Sequence, residues 1–165
     1  MNYSLAAKIY NYTDQFEGSN EGKEDAWMKR LLTEHQWMLM YVGDPSVENG
    51  VIPGSRSKTW SEQQSLFNQK NNGTYELPLP LETVTGTMMR YIKTGDKILD
   101  YSDRPWTYSR SPYTYTRCNE TWSSGGYGSG YRVGVGDFDS GGLLVYYFSD
   151  DYQGGGRGLG VLRKV

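Results

Sequence analysis

The stretch Tyr131-Arg132-Val133-Gly134-Val135-Gly136-Asp137-Phe138-Asp139-Ser140-Gly141-Gly142-Leu143-Leu144-Val145-Tyr146-Tyr147-Phe148 decides the fold class. Tyr131 to Val135 and Leu143 to Phe148 are short β-prone runs, and the Gly, Asp and Ser between them are turn residues. Two strands with a turn-rich connection are therefore expected. Outward from this segment, Thr87 to Ile92, Ile98 to Tyr101 and Gly160 to Val165 have the same chemistry, so strands are expected from about Thr83 to the end.

The other end of the chain is different. Residues 1–45 carry helix-compatible Ala, Lys, Glu, Met and Leu. Leu5, Ile9 and Tyr12 recur at helical spacing and predict a helix over Ser4 to Gln15, broken by Gly18 to Gly22, with a short helical turn at Asp25 to Leu31. Thr33-Glu34-His35-Gln36 fits a capping box, which predicts a second helix from Thr33 to about Gly43. Residues 44–82, rich in Gly, Ser, Asn and Pro, read as a long irregular excursion with one helical turn around Ser61 to Phe67. Helices followed by short strands imply an α+β domain, and 165 residues suit a single one.

Composition narrows the function. With 17 Lys+Arg against 19 Asp+Glu and a net charge of -2, the chain has no footprint for phosphate backbones, so no nucleic-acid partner is expected. The apolar stretch from Trp37 to Val42 is too short to cross a bilayer, and residues 1–20 lack the order of a signal peptide, so neither membrane insertion nor an export address is expected. Asn11, Asn72 and Asn119 each open an Asn-x-Thr triplet, to which little weight attaches without an export signal. Cys118 is the only cysteine, which excludes an internal disulfide and paired-cysteine chemistry.

The segment Lys29-Arg30-Leu31-Leu32-Thr33-Glu34-His35-Gln36-Trp37 is similar to the Arg-Leu-Pro-Thr-Glu-x-Glu-Trp segment that opens the second helix in one C-type-lectin-like branch. That branch is shared by formylglycine-generating enzymes and variable proteins of diversity-generating retroelements. Leu32 replaces the usual Pro, and Gln36 the second Glu. Gly134 to Gly142, the run Leu143 to Phe148, and the closing Gly158-Leu159-Gly160-Val161-Leu162-Arg163 resemble the branch's Gly-Gly-x-Trp and Gly-Phe-Arg-x-Val ending, with Phe138 in the Trp position. The resemblance covers roughly 30–42 and 131–165. It implies a C-type-lectin-like fold over 1–165, two helices packed on a small twisted antiparallel sheet with long loops, and an N-terminal strand shortened or absent.

Such retroelements replace template adenines, so Asn codons turn into codons for Tyr, Ser, Asp, Gly, Arg and others. Asp137, Asp139, Ser140, Tyr146, Tyr147, Ser149, Asp150, Asp151, Tyr152, Gly154, Gly155, Gly156 and Arg157 are all reachable in this way. They surround apparently fixed Phe138, Leu143, Leu144, Val145, Leu159 and Val161, which marks a candidate variable region at about 131–160. The same residue types bind well whatever their origin, since Tyr offers amphipathic area at low entropy cost and Ser, Gly and Asp adapt their hydrogen bonds. The plainer alternative is a solvated sheet in which Tyr serves strands and Gly serves turns; the apolar framework favours binding.

The expected ligand-binding set is Asp137, Asp139, Ser140, Tyr146, Tyr147, Ser149, Asp150, Tyr152, Gly154 and Arg157, extended by Tyr115 and Trp122. Tyr108, Tyr113, Arg117 and Asn119 could widen it, while Trp106 reads as core. Successive residues of a strand face opposite sides, so one of Tyr146 and Tyr147 is expected to lead and the other to join the core.

Enzymatic readings fare worse. Copper oxidation would need two thiolates and the chain has one; His35, the sole histidine, cannot supply a three-histidine iron site and sits badly for a nucleophile triad. Asp137 with Asp139 remains as a carboxylate pair, whereas Asp150 and Asp151, adjacent on a strand, would face opposite sides and not converge. Calcium-dependent sugar motifs are missing, so no obligatory calcium and no cofactor are expected, though Asp137, Asp139 and Asp150 could bind calcium weakly. The expectation is a non-catalytic receptor-binding or adhesin-like protein of a phage or microbial surface, with a cell-surface protein or glycan as partner and an oligomer or larger assembly possible. The alternative is a virion or cell-envelope structural module that uses the same surface for subunit packing.

Overall fold

The computed structural model describes residues 38–42, 49–99, 114–121, 130–138 and 142–164. Among them the order is β1 (Met38–Met40), α1 (Trp60–Lys70), α2 (Pro80–Thr94), β2 (Tyr115–Thr121), β3 (Tyr131–Gly136), β4 (Leu144–Ser149), β5 (Arg157–Gly158) and β6 (Leu162–Lys164). The class is α+β. The helix expected over Ser4 to Gln15, the turn at Asp25 to Leu31 and the Thr33-to-Gln36 capping box lie outside the described residues.

A capping box does open a helix, but at Thr59 to Glu62. The Thr59 hydroxyl accepts from the Glu62 amide at 3.2 Å, and the Glu62 carboxylate accepts from the Thr59 amide at 2.8 Å. What was expected as one turn around Ser61 to Phe67 is thus an 11-residue helix. Pro80 then starts α2, where a missing amide costs nothing, and the Glu82 carboxylate accepts from the Leu79 amide at 2.8 Å. Gly95 ends the helix in the left-handed region at φ 76. The expected strand over Thr87 to Ile92 is therefore helical. Its β-prone residues sit at helical spacing, and Val84, Thr87 and Met88 turn inward.

The strand expectations at Tyr131 to Val135, Leu143 to Phe148 and the C-terminus hold within a residue or two. Ile98 to Tyr101 does not where it is described: Ile98 and Leu99 form a bend, fully buried, with Leu99 at φ 58, and residues 100 and 101 lie outside the described residues. The second helix expected over Thr33 to Gly43 is also overturned where it is described, because Met38–Met40 is a strand paired antiparallel with Leu162–Lys164. Long-range pairing prevails there over a weak local preference, and Glu76 bridges the other side of Leu162 with 2.8 and 3.1 Å backbone bonds. Among the described residues a short strand thus precedes both helices.

The larger sheet runs β4-β3-β2-β5. Its β2–β3 and β3–β4 pairs are antiparallel, but β5 joins β2 in parallel, so the sheet is mixed rather than antiparallel throughout. Among the described residues two apolar clusters hold the layers. Val84 and Met88 of α2 pack on Cys118, Val135, Phe138 and Leu143 from the sheet side. Trp60 of α1 packs on Ile52, Leu159 and Val161, with Leu66 and Phe67 partly buried against them.

Candidate functional site

The site begins with two glycines. In β3, Val133 and Val135 are fully buried, whereas Gly134 and Gly136 lie at the alternate positions, on the sheet's opposite face. Register places Gly136 beside Tyr115 of β2 and Leu144 of β4, and Gly134 beside Arg117 and Tyr146. Without side chains on the central strand, rings from the flanking strands close over it. Tyr115 and Phe148 meet edge to face at 5.0 Å, and a Cβ on Gly134 would stand 2.4 Å from the Phe148 ring.

Over this floor lies a recess of about 290 Å³. Tyr115, Asp137, Tyr146 and Arg157 line it, with Leu144, Phe148 and Gly156 completing the wall. Asp137 leaves β3 at φ 52, a left-handed conformation that Asp tolerates, and its carboxylate accepts from the Tyr115 hydroxyl at 3.2 Å. Arg157 is held flat between two rings, its guanidinium carbon 4.3 Å from the Phe148 centroid and 4.2 Å from that of Tyr152. Gly154 makes room for it, since a Cβ there would meet the Arg157 Nη1 at 1.9 Å.

The loop that carries these residues is fixed from beneath by Arg117. Expected as a surface residue, Arg117 is instead fully buried. Its Nη1 donates to the Lys58 carbonyl at 2.9 Å and to the Gln63 side-chain oxygen at 3.0 Å; its Nη2 donates to the Ser149 carbonyl at 3.3 Å and to the Tyr152 carbonyl. Burial, with Arg157 nearby, holds its guanidinium down at about 10. Gln63, also fully buried, donates to the carbonyls of Ser55 at 2.7 Å and Arg157 at 3.3 Å. The Trp60 amide donates to the Asp150 carbonyl at 2.8 Å, which fastens the same loop to α1.

The structure thus brings Tyr115, Asp137, Tyr146 and Arg157 together, with Tyr152 and Gly154 at the rim. Tyr115 is buried and presents little beyond its hydroxyl. Tyr152 is half exposed at 52%. Ser149 and Asp150 stand apart from the recess: Ser149 accepts from Arg117, and Asp150 pairs with Arg132 at 3.3 Å. Tyr146 and Tyr147 do not divide into one surface and one core residue. Both are half-buried and their rings stack at 4.9 Å, because β4 ends the sheet order and the rings reach round it. Asn119 is exposed, whereas Tyr108, Tyr113, Trp106, Trp122, Asp139 and Ser140 lie outside the described residues.

Sequence reading missed Gln63, Phe148 and the two glycines. The Gly-x-Gly alternation inside a β-prone run was the available signal, since glycine in a strand interior marks close approach of other groups. Cys118 is buried against α2, with its sulfur 3.6 Å from the Thr83 hydroxyl, and burial pushes its thiol up to about 12. Among the described residues no group of three or more His, Cys, Asp or Glu could hold a metal, and no helix is long and apolar enough to cross a membrane. Comparison with protein-family models, with curated proteins and with solved structures yields no match to this chain.

Proposed function

We propose that this chain is a non-catalytic, C-type-lectin-like recognition domain that displays its C-terminal surface to a cell-surface partner, as a receptor-binding or adhesin-like protein would. One observation carries the reading. Of the apolar residues that look fixed in the C-terminal region, Phe138, Leu143, Leu159 and Val161 are buried, and Leu144 and Val145 are half-buried. Asp137, Tyr146 and Arg157, whose types adenine replacement can generate, meet around one recess, with Tyr152 beside it. That is the division of labour expected when a scaffold is constant and a binding face varies. The two helices, the small sheet and the short strand ahead of the helices are compatible with the lectin-like class.

The loop's anchorage supports recognition on physical grounds as well. Arg117, Gln63 and the Trp60 amide hold its backbone before any ligand arrives, so less ordering entropy is lost on binding. Replacing Tyr146, Tyr152 or Arg157 with Ala should weaken attachment to cells bearing the partner at least about tenfold, as for central interface residues, with Tm nearly unchanged. Undiminished attachment by all three variants would refute the reading. Burial of the same face in a symmetric assembly would favour the structural-module alternative. Diversification has a separate check: the gene's neighbourhood should carry a reverse transcriptase and a near-copy of the 131–165 coding region that differs at adenines.

A further inference from the structure

The three arginines on the recess side of the sheet are used differently. Arg117 is surrounded by four oxygen acceptors. Arg132 lies over the Trp60 ring at 4.4 Å and pairs with Asp150. Arg157 is oriented as firmly as either, between the Phe148 and Tyr152 rings, yet among the described residues its guanidinium has neither a hydrogen-bond acceptor nor an ion pair. Arg157 lines the recess. Stacking fixes the plane of the fork and leaves its two terminal nitrogens to meet an acceptor, a geometry suited to a carboxylate.

From this arrangement, and on the premise that the C-terminal surface is a binding site, we infer that the recess takes an acidic sugar, a pyranose bearing one carboxylate, with that carboxylate on Arg157. Three further features narrow the ligand to this class. Asp137 lines the same recess, so a dianion such as phosphate would meet a like charge. A ligand with one carboxylate and neighbouring hydroxyls satisfies both residues, as Arg157 donates to the former and the Asp137 carboxylate accepts from the latter. Leu144 and Tyr146 offer an apolar wall to the C–H face of a ring. The volume of about 290 Å³ is at the small end for ligand pockets and suits a single ring. A protein's acidic side chain or carboxy terminus shares the carboxylate but lacks the hydroxyls that Asp137 would accept.

The test titrates the full chain with glucuronate, glucose and an acetylated dipeptide with a free carboxy terminus, followed by amide chemical shifts. Glucuronate should bind at least tenfold more tightly than glucose or the dipeptide, with shifts centred on Asp137, Tyr146 and Arg157. Arg157→Gln should abolish that preference. Gly154→Ala should do so too by displacing the Arg157 fork, and because it meets only side-chain atoms of Arg157 and the half-exposed Tyr152, and no backbone, it covers the case in which Arg157→Gln fails to fold. Equal binding of glucose and glucuronate would overturn the assignment, as would a preference for the dipeptide, which would make the partner a protein. Absence of binding by every probe would also overturn it. If Tyr146→Ala and Tyr152→Ala still reduced attachment to cells, the displayed-surface reading would survive each of those failures.

Discussion

Arg117→Met removes a buried cation and leaves its shape largely filled. Four acceptors lose their donor: the carbonyls of Lys58, Ser149 and Tyr152, and the Gln63 side-chain oxygen. An acceptor left unsatisfied in the interior costs about 1–3 kcal/mol, although carbonyls near the loop surface can recover some of this from water. Against the loss stands a relief. Burial holds the guanidinium at about 10 instead of its ordinary 12.5, so removing the charge returns roughly 3 kcal/mol. The acceptors win, and the net destabilisation should be about 2–4 kcal/mol, close to the range for breaking a buried charged network from one side. Urea unfolding followed by circular dichroism measures it. The variant should also lose affinity for any ligand of the recess, because the Ser149-to-Tyr152 backbone would no longer be held under Arg157. A variant as stable as the parent would refute the account of Arg117 as the anchor of this loop.

Three other expectations follow from the same structure. Thr59→Ala removes the hydroxyl that caps α1 and should cost about 1 kcal/mol in urea unfolding; no change would mean that the box adds nothing to packing. Gly136→Ala places a Cβ 2.0 Å from the Thr114 carbonyl oxygen and 2.6 Å from the Tyr115 Cα, so backbone must shift. A loss of about 1–3 kcal/mol is expected, and a wild-type melting curve would contradict the strand spacing described. Cys118 should resist thiol reagents at pH 8 in the native state. With its thiol at about 12 rather than the ordinary 9.0, its contribution to stability is complete below pH 9 and falls as pH rises from there toward 12. The expected slope is roughly 1.4 kcal/mol per pH unit. Cys118→Ala should flatten that part of the stability profile, and an unchanged profile would count against the shifted thiol.

Much of the second half of the chain was legible because the information is local. β3, β4 and β6 announce themselves as short β-prone runs between turn residues, and the apolar framework around Phe138, Leu143 and Leu159 stands out among Asp, Tyr, Ser and Gly. The helices were less legible. Thr59-Trp60-Ser61-Glu62 carries a capping box as clear as Thr33-Glu34-His35-Gln36, but the surrounding Gly, Ser, Asn and Pro made the region read as irregular. In α2 the Thr and Ile content suggested a strand, while Pro80, Glu82 and Gly95 marked the two ends of a helix.

By itself the sequence determined an α+β chain with a single thiol, a near-neutral charge balance and a C-terminal region whose side chains suit binding. Only the tertiary structure decided that Met38–Met40 is a strand, since its hydrogen bonds come from Leu162–Lys164 at the other end of the chain. The same holds for the site. Arg117 is buried because acceptors from residues 58, 63, 149 and 152 converge on it, whereas rings rather than oxygens hold the plane of Arg157. Both are arginines in strands. What separates the anchored arginine from the one without acceptors is which distant oxygens reach it, and that depends on how the loops and sheet pack together rather than on neighbours in the chain.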